Sequence, residues 1–424
     1  MLARRGLIAG ALAALAAEYV LLALWQRNGY WDFSDGVYAL SARELLHGGG
    51  LYSAFAGAQP PPVYLVGAGL LAIHDGLASL RTGMALAELA TALLVGFAAL
   101  RLSNRRALAL AAALASPLLP IELHEHAQLI PETIAAPLLM AGALLAARPG
   151  RSAWTGVALA LAVACKLAFV VPALAIVLAG ADRRRTGAAF LASGAILAGA
   201  SLAGYGTALW TETVRAQLEV GTASLHYVGG LLAQAAWNEL PLLVLAAPLV
   251  LAARRRAALS ADPQLERVLL ASAAGGLLLG LSLFKRGSYL DVLVVAEAPL
   301  LALAVAGAAA LWRSGGTRLL ASLAILLLLA QSASILLDPG NPPLARRPGA
   351  QSGLAEVSSP AAVNAAVSAA RRCPPARAYS GPPYLAFLAN RRMPGEQPDT
   401  FMLANAPADG PFARRAAADA PRCP

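Results

Sequence analysis

Two aspartates early in the chain and a pair of cations late in it are the side chains of this sequence best suited to chemistry. Asp32 and Asp35 lie in the stretch 26–64, QRNGYWDFSDGVYALSARELLHGGGLYSAFAGAQPPPVY. Arg43, Glu44, His47, four aromatic residues close to the acids and a proline triplet accompany them. Lys285 and Arg286 adjoin in Phe284-Lys285-Arg286-Gly287-Ser288-Tyr289. A carboxylate is able to take the proton from an attacking hydroxyl. Cations are able to hold a phosphate leaving group and stabilise the charge that develops on it. Together they suit transfer of a group from a phosphate-linked donor. A single aspartate reads equally well as a solvated acid or a helix cap, so the pairing depends on where the chain places the two segments.

Two further features carry polar groups. The run Ile121-Glu122-Leu123-His124-Glu125-His126 precedes Pro131-Glu132. His124 and His126 point different ways on a helix and share a face in an extended segment. Three readings stay open: a metal site using Glu122, His124 and His126, a polar loop that binds an acceptor, and a solvated connector. Among 33 Lys plus Arg, only Lys166 and Lys285 are lysines. A lysine retained against such an arginine preference points to a need for its compact ammonium. Both lie in or beside apolar segments, where an ionisable group is costly. The structural alternatives are a snorkelling or carboxylate-paired Lys166 and an interface anchor at Lys285-Arg286.

The elements that must position these residues are membrane helices. Of 424 residues, 58% are hydrophobic and 13% charged. Such values exclude an ordinary soluble domain and indicate a multi-pass protein of the cell membrane. Eleven apolar segments run from 7–25 to 319–337, after which the chain turns Pro-, Ala- and Arg-rich. The net charge of +10 reads as positive-inside bias plus attraction to anionic lipid, because the arginines cluster between spans. Nucleic-acid binding is not expected. The first residues resemble a signal peptide, but the apolar run continues through Tyr19 to Trp25, as in a retained signal-anchor.

Arg4 and Arg5 place the N-terminus in the cytoplasm and the 26–61 loop outside. The clusters at Arg101/Arg105/Arg106, Arg148/Arg151, 183–185, 254–256 and Arg313/Arg318 fall on the cytoplasmic side only if two segments are not simple spans. The 62–77 run is cut by His74 and Asp75, short of the roughly 20 apolar residues a span needs. The 153–181 run holds Lys166 near its middle and Pro172 just after, which predicts two short helices meeting at a break. The outer surface then comprises 26–61, 122–131, 210–236, 285–289 and the tail from 338.

Several motifs resemble the GT-C membrane glycosyltransferases, most of all the protein-mannosyltransferase-like and aminoarabinose-transferase-like group. They are Ser34-Asp35-Gly36-Val37-Tyr38, Ala42-Arg43-Glu44-Leu45-Leu46, Gly50-Leu51-Tyr52 and Pro60-Pro61-Pro62-Val63-Tyr64. Leu80-Arg81, Pro131-Glu132, Ala164-Cys165-Lys166-Leu167 and Lys285-Arg286-Gly287-Ser288-Tyr289 follow in order over residues 1–340. The resemblance implies an all-α polytopic bundle of about 9–11 transmembrane or partial helices. It implies an inverting transfer from a polyprenyl-phosphate sugar to an extracytoplasmic acceptor of the cell envelope. Asp35 would be the catalytic base, with Asp32 its rival. Tyr38, Arg43, His124, Glu132, Lys166, Lys285, Arg286 and Tyr289 would bind substrate. Glu132 would orient acceptor or donor, and Lys285 and Arg286 would hold the donor phosphate. No cofactor is implied firmly, and the mannosyltransferase-like group generally uses no divalent cation. Lys166 is followed by Leu where the family has Pro, and Tyr289 by Leu-Asp, so the donor site departs from the pattern.

The sequence divides into a transmembrane catalytic module, 1–337, and an extracytoplasmic tail, 338–424. In the tail, 360–372 and 383–390 read as helices and 376–380 as a short strand, a small α/β cap too short to bury much core alone. Cys373 and Cys423 fall there, on the oxidising side, and are candidates for a disulfide. A transporter or lipid-carrier flippase is the alternative and predicts inverted repeats, which the sequence does not display. A non-catalytic scaffold of envelope assembly is a third reading.

Overall fold

The computed structural model describes residues 2–26, 33–254, 260–313, 317–337, 344, 360–374, 376–405, 411–419 and 423. Six helices among them are long and apolar enough to cross a membrane, within Leu77–Ser103, Arg183–Glu219, Leu225–Ala252, Pro263–Phe284, Leu290–Arg313 and Arg318–Leu337. Six shorter apolar helices accompany these. The chain is therefore a multi-pass helical membrane protein, as its composition requires. Among the described residues these apolar helices outnumber the eleven apolar segments by one, because 153–181 divides at Lys166 as its sequence predicts.

In chain order the helices are α1 (Leu2–Gln26), α2 (Phe33–Leu46), α3 (Pro62–Ile73), α4 (Leu77–Ser103), α5 (Arg106–Ala115), α6 (Pro120–His124), α7 (Pro131–Ala146), α8 (Ser152–Cys165), α9 (Val170–Ala179) and α10 (Arg183–Trp210). They continue as α11 (Ala216–Glu219), α12 (Leu225–Arg254), α13 (Pro263–Leu278), α14 (Val294–Arg313) and α15 (Arg318–Leu337). The tail adds α16 (Pro360–Arg371), α17 (Pro383–Ala389), α18 (Thr400–Asn405) and α19 (Pro411–Ala418).

Both short segments behave as their sequences require. Pro62 starts α3, whose missing N–H costs nothing at that position, and the helix ends before His74. Its 12 residues reach about 18 Å, well short of the hydrocarbon thickness. Between α8 and α9, Lys166 adopts an extended backbone and Leu167–Phe169 forms a 3-10 turn. That break brings an ammonium to a helix end inside an apolar layer.

The bundle closes around α14, most of which is buried. By contrast α10 is nearly all exposed along its apolar length, the signature of a helix that faces lipid. Polar turns gather at one end. Arg101 is paired with Asp262 and donates to the Leu144 carbonyl, Ala181 N–H donates to the Ala146 carbonyl, and Gly150 N–H donates to Asp182. Three of the arginine clusters thus share one end, which is the relation the sequence argument needed.

The tail does not fold apart. It shares one apolar cluster with α2, α3 and the loop between them, through Tyr38, Phe55, Tyr64, Tyr384 and Phe387. A Cβ on Gly36 would come within 2.4 Å of the Tyr384 backbone nitrogen, so only glycine lets α2 and α17 approach this closely. Arg43 locks the same contact. Its Nε donates to Asp75 at 2.8 Å, its Nη1 donates to the Phe387 carbonyl at 2.8 Å, and its guanidinium lies 3.7 Å from the Phe387 ring centre. Cys373 and Cys423 form a disulfide. The α/β expectation for the tail needs correcting. Among the described residues the 376–380 segment yields only one bridge, Tyr379 with Cys423. Pro374 and Pro382 flank the segment and supply no N–H to extend a ladder.

Candidate active site

A cavity of about 380 Å³ opens where the start of α2, the loop before α3, the α8–α9 break, the 285–292 turn and the start of α18 converge. Tyr38, Gln59, Lys166, Gln217, Lys285, Tyr289, Asp291 and Asp399 supply its polar lining. The two lysines of the chain therefore share one wall, from segments with no sequence relation.

Lys166 is held from two sides. Its Nζ donates to Glu132, a fully buried carboxylate in the first turn of α7, and lies 3.7 Å from Asp291 Oδ2. Glu132, expected to orient substrate directly, instead neutralises Lys166 from behind. Lys285 donates to Gln217. Burial, with Lys166 nearby, pulls its ammonium down to about 8. It is therefore still charged at neutral pH and loses that charge above about 8. Its backbone is fixed by the adjoining strand-like pairing, in which Ala223 N–H donates to the Phe284 carbonyl and Arg286 N–H to the Gly221 carbonyl. The turn then reverses at Gly287, whose φ of +78° favours glycine and whose missing side chain admits the Phe401 ring.

Asp399 enters from the tail. It caps α18 by accepting the Met402 N–H at 2.8 Å, and burial pushes its carboxyl up to about 6. Tyr38 is buried beside Tyr64, Glu132, Asp399 and Asp291, which raises its phenol far above its ordinary value and keeps it a neutral donor.

Several expected site residues lie elsewhere. Asp35 does not line the cavity. It is 1% exposed, accepts from Arg81 Nη2 at 2.6 Å and accepts the Leu129 N–H at 2.9 Å. A carboxylate engaged on both oxygens and sealed from solvent is a structural ion pair. Asp32 lies outside the described residues. Arg43 is the tail clamp described above, and Arg286 is exposed and does not line the cavity. The metal reading of Glu122, His124 and His126 also needs correcting, because their side chains do not converge. His124 Nδ1 lies 2.9 Å from Glu125, and His126 Nδ1 lies 2.6 Å from Glu88. Glu122 follows the start of α6, whose first N–H groups donate to Glu297 of α14. Among the described residues no group of three or more His, Cys, Asp or Glu is arranged to hold a metal ion.

Sequence reasoning missed Gln217, Asp291 and Asp399. Asp291 was the departure from the family pattern after Tyr289. Asp399, before Thr400, carried only the weak signal of a helix cap.

Beside the polar cavity lies an apolar one of about 350 Å³, walled by α8 and α10 and by Pro60 and Pro61. Their linings adjoin at two points of the chain, where Gln59 and Lys166 line the polar cavity and their successors, Pro60 and Leu167, line the apolar one. Val214 of the apolar lining lies three residues before Gln217 of the polar one.

No protein-family profile matches the sequence, and a search of curated proteins returns no match. Solved structures do match the fold. ArnT from Cupriavidus metallidurans bound to undecaprenyl phosphate aligns with TM-score 0.65 at 15% identity, over 95% of this chain and 88% of that one. ArnT from the same organism in the apo state aligns with TM-score 0.63 at 17% identity, over 92% and 86%. The chain therefore shares the polytopic helical fold of ArnT.

Proposed function

We propose that the protein transfers a sugar from a polyprenyl-phosphate donor to an acceptor hydroxyl. The observation that carries this reading is the pairing of the two cavities, whose linings adjoin at Gln59-Pro60 and Lys166-Leu167. An amphiphile with an anionic head and a long apolar chain suits a two-lysine pocket with an apolar cavity next to it along a lipid-facing helix. The ArnT structure that shares the fold holds undecaprenyl phosphate, a molecule of that chemistry.

In this reading the polyprenyl chain lies between α8 and α10, and the phosphate meets Lys285 and Lys166. Lys285, charged below about pH 8, stabilises the phosphate as the sugar departs. Lys166 carries charge already balanced by Glu132 and Asp291, so it orients the phosphate more than it attracts it. Tyr38 and Tyr289 contact the sugar. One displacement at the anomeric carbon inverts its configuration. Asp35 supports the reaction from outside the cavity, by fixing α2 and thus Ser34 and Tyr38. The arginine-bearing end of the bundle faces the cytoplasm, and the cavity and tail face the opposite side.

The test is direct. Purified protein in liposomes is given undecaprenyl phosphate, then undecaprenyl-phosphate-linked mannose, glucose and arabinose in turn, with a cell-envelope extract as acceptor. Saturable binding of undecaprenyl phosphate and acceptor-dependent consumption of one donor are expected. No binding and no consumption would overturn the proposal. Movement of the lipid across the bilayer without sugar transfer would point to a flippase.

A further inference from the structure

We propose that Asp399, carried by the C-terminal tail, is the base that takes the proton from the acceptor hydroxyl, an assignment that rests on the transfer reaction proposed above. It makes the tail part of the catalytic machinery.

Three acids near the cavity are engaged elsewhere. Asp35 is sealed against Arg81. Glu132 is fully buried behind Lys166. Asp291 lines the cavity but stands 3.7 Å from the Lys166 ammonium, whose charge it helps to balance. Asp399 also lines the cavity and has no cation so close to it among the ion pairs of the described residues. The titratable groups within electrostatic reach of it come from four elements. They are Lys285 of the turn, Glu212 of the π-turn Thr211–Arg215, Tyr38 of α2 and Tyr64 of α3. With its carboxyl near 6, it is ionised at neutral pH and still basic enough to accept a proton.

Its position is fixed, as a catalytic group requires. Two residues earlier, Gln397 is 1% exposed and clamps the tail to the first loop. Its Oε1 accepts the Ala56 N–H at 2.9 Å, and its Nε2 donates to the Ala54 carbonyl at 3.0 Å. Two residues later, Phe401 packs where Gly287 leaves room. Asp399 is thereby held on the same cavity as Lys285.

The step balances without a redox partner. The acceptor oxygen bonds to the anomeric carbon as the bond from that carbon to the phosphate oxygen breaks. The bonding pair leaves with polyprenyl phosphate, and the acceptor proton passes to the Asp399 carboxylate.

The test compares wild type with Asp399→Asn, Asp399→Ser and Asp399→Glu in liposomes. Undecaprenyl phosphate serves as the binding probe, and consumption of the active undecaprenyl-phosphate sugar is the turnover readout. Asn and Ser keep a helix-cap oxygen, so both variants retain α18. The expected result is wild-type binding with kcat lower by about 10²–10⁴-fold in both. The ascending limb of the wild-type pH profile near 6 is expected to vanish in both and to return, shifted, in Asp399→Glu. Wild-type turnover in Asp399→Asn and Asp399→Ser, or loss of binding together with turnover, would overturn the assignment while leaving the transfer reaction standing. A wild type that neither binds the probe nor consumes donor would overturn both.

Discussion

Arg81 Nη2 and Asp35 Oδ2 lie 2.6 Å apart with both side chains almost wholly buried, joining α4 to the first turn of α2. Arg81 also donates to the Ala127 carbonyl at 2.9 Å, and Asp35 accepts the Leu129 N–H. Three segments therefore meet at one ion pair. Removing one partner of such a pair strands a buried charge.

Asp35→Asn is expected to destabilise the protein by about 3–5 kcal/mol, and Asp35→Leu combined with Arg81→Leu by clearly less. Thermal unfolding in detergent gives the comparison. An Asp35→Asn variant with unchanged stability and no turnover would return Asp35 to the chemistry.

Lys166→Met leaves Glu132 buried without its counter-ion, whereas Lys285→Met leaves only Gln217. Lys166→Met is expected to lower stability by about 3–5 kcal/mol. Lys285→Met is expected to weaken undecaprenyl phosphate binding by about 10-fold or more with stability nearly unchanged. Thermal unfolding and a lipid-phosphate titration on both variants test the contrast.

Binding is expected to depend on pH. Burial lowers the Lys285 ammonium to about 8, so it is charged below that pH and neutral above. An anion favours the charged form. Affinity for undecaprenyl phosphate is therefore expected to be constant below about 7 and to fall by up to about tenfold per pH unit above 8. Lys285→Arg is expected to flatten the profile to pH 10. A wild-type profile flat to pH 10 would exclude Lys285 as the phosphate ligand.

The apolar channel is open to a block that spares the fold. Gly194 lines it, and a Cβ there meets nothing within 4 Å. Gly194→Trp is expected to weaken undecaprenyl phosphate binding by about 10-fold or more while leaving a six-carbon alkyl phosphate unaffected, because only the long chain needs the channel. Equal effects on both ligands would place the chain elsewhere.

The Cys373–Cys423 disulfide closes a loop of sequence separation 50, which in the chain-entropy account stabilises the tail by about 4 kcal/mol. Cys373→Ser with Cys423→Ser is expected to make the tail sensitive to limited proteolysis and to lower turnover, with the transmembrane helices intact. Wild-type protease resistance of the tail would refute this.

Sequence alone determined the membrane class, the short helix after the proline triplet, the break at Lys166 and the ordered motifs of a GT-C fold. Each follows from local properties: hydropathy over some twenty residues, a proline's missing N–H, an ionisable group in an apolar run. The same sequence pointed to Asp35 as base and to Lys285-Arg286 as one unit. Tertiary structure pairs these residues in ways the sequence does not display, because pairing depends on which side chains helix packing brings together. Asp35 meets Arg81 across 46 residues, and Glu132 meets Lys166 across 34. Lys285 turns inward while Arg286 stays exposed, since the turn is pinned by backbone bonds to residues 221–223. Asp399, unremarkable in a Pro- and Arg-rich tail, reaches the cavity only because Gln397 anchors that tail on the first loop. No local pattern encodes these distances, for burial and charge pairing arise only when separate segments exclude water from one another.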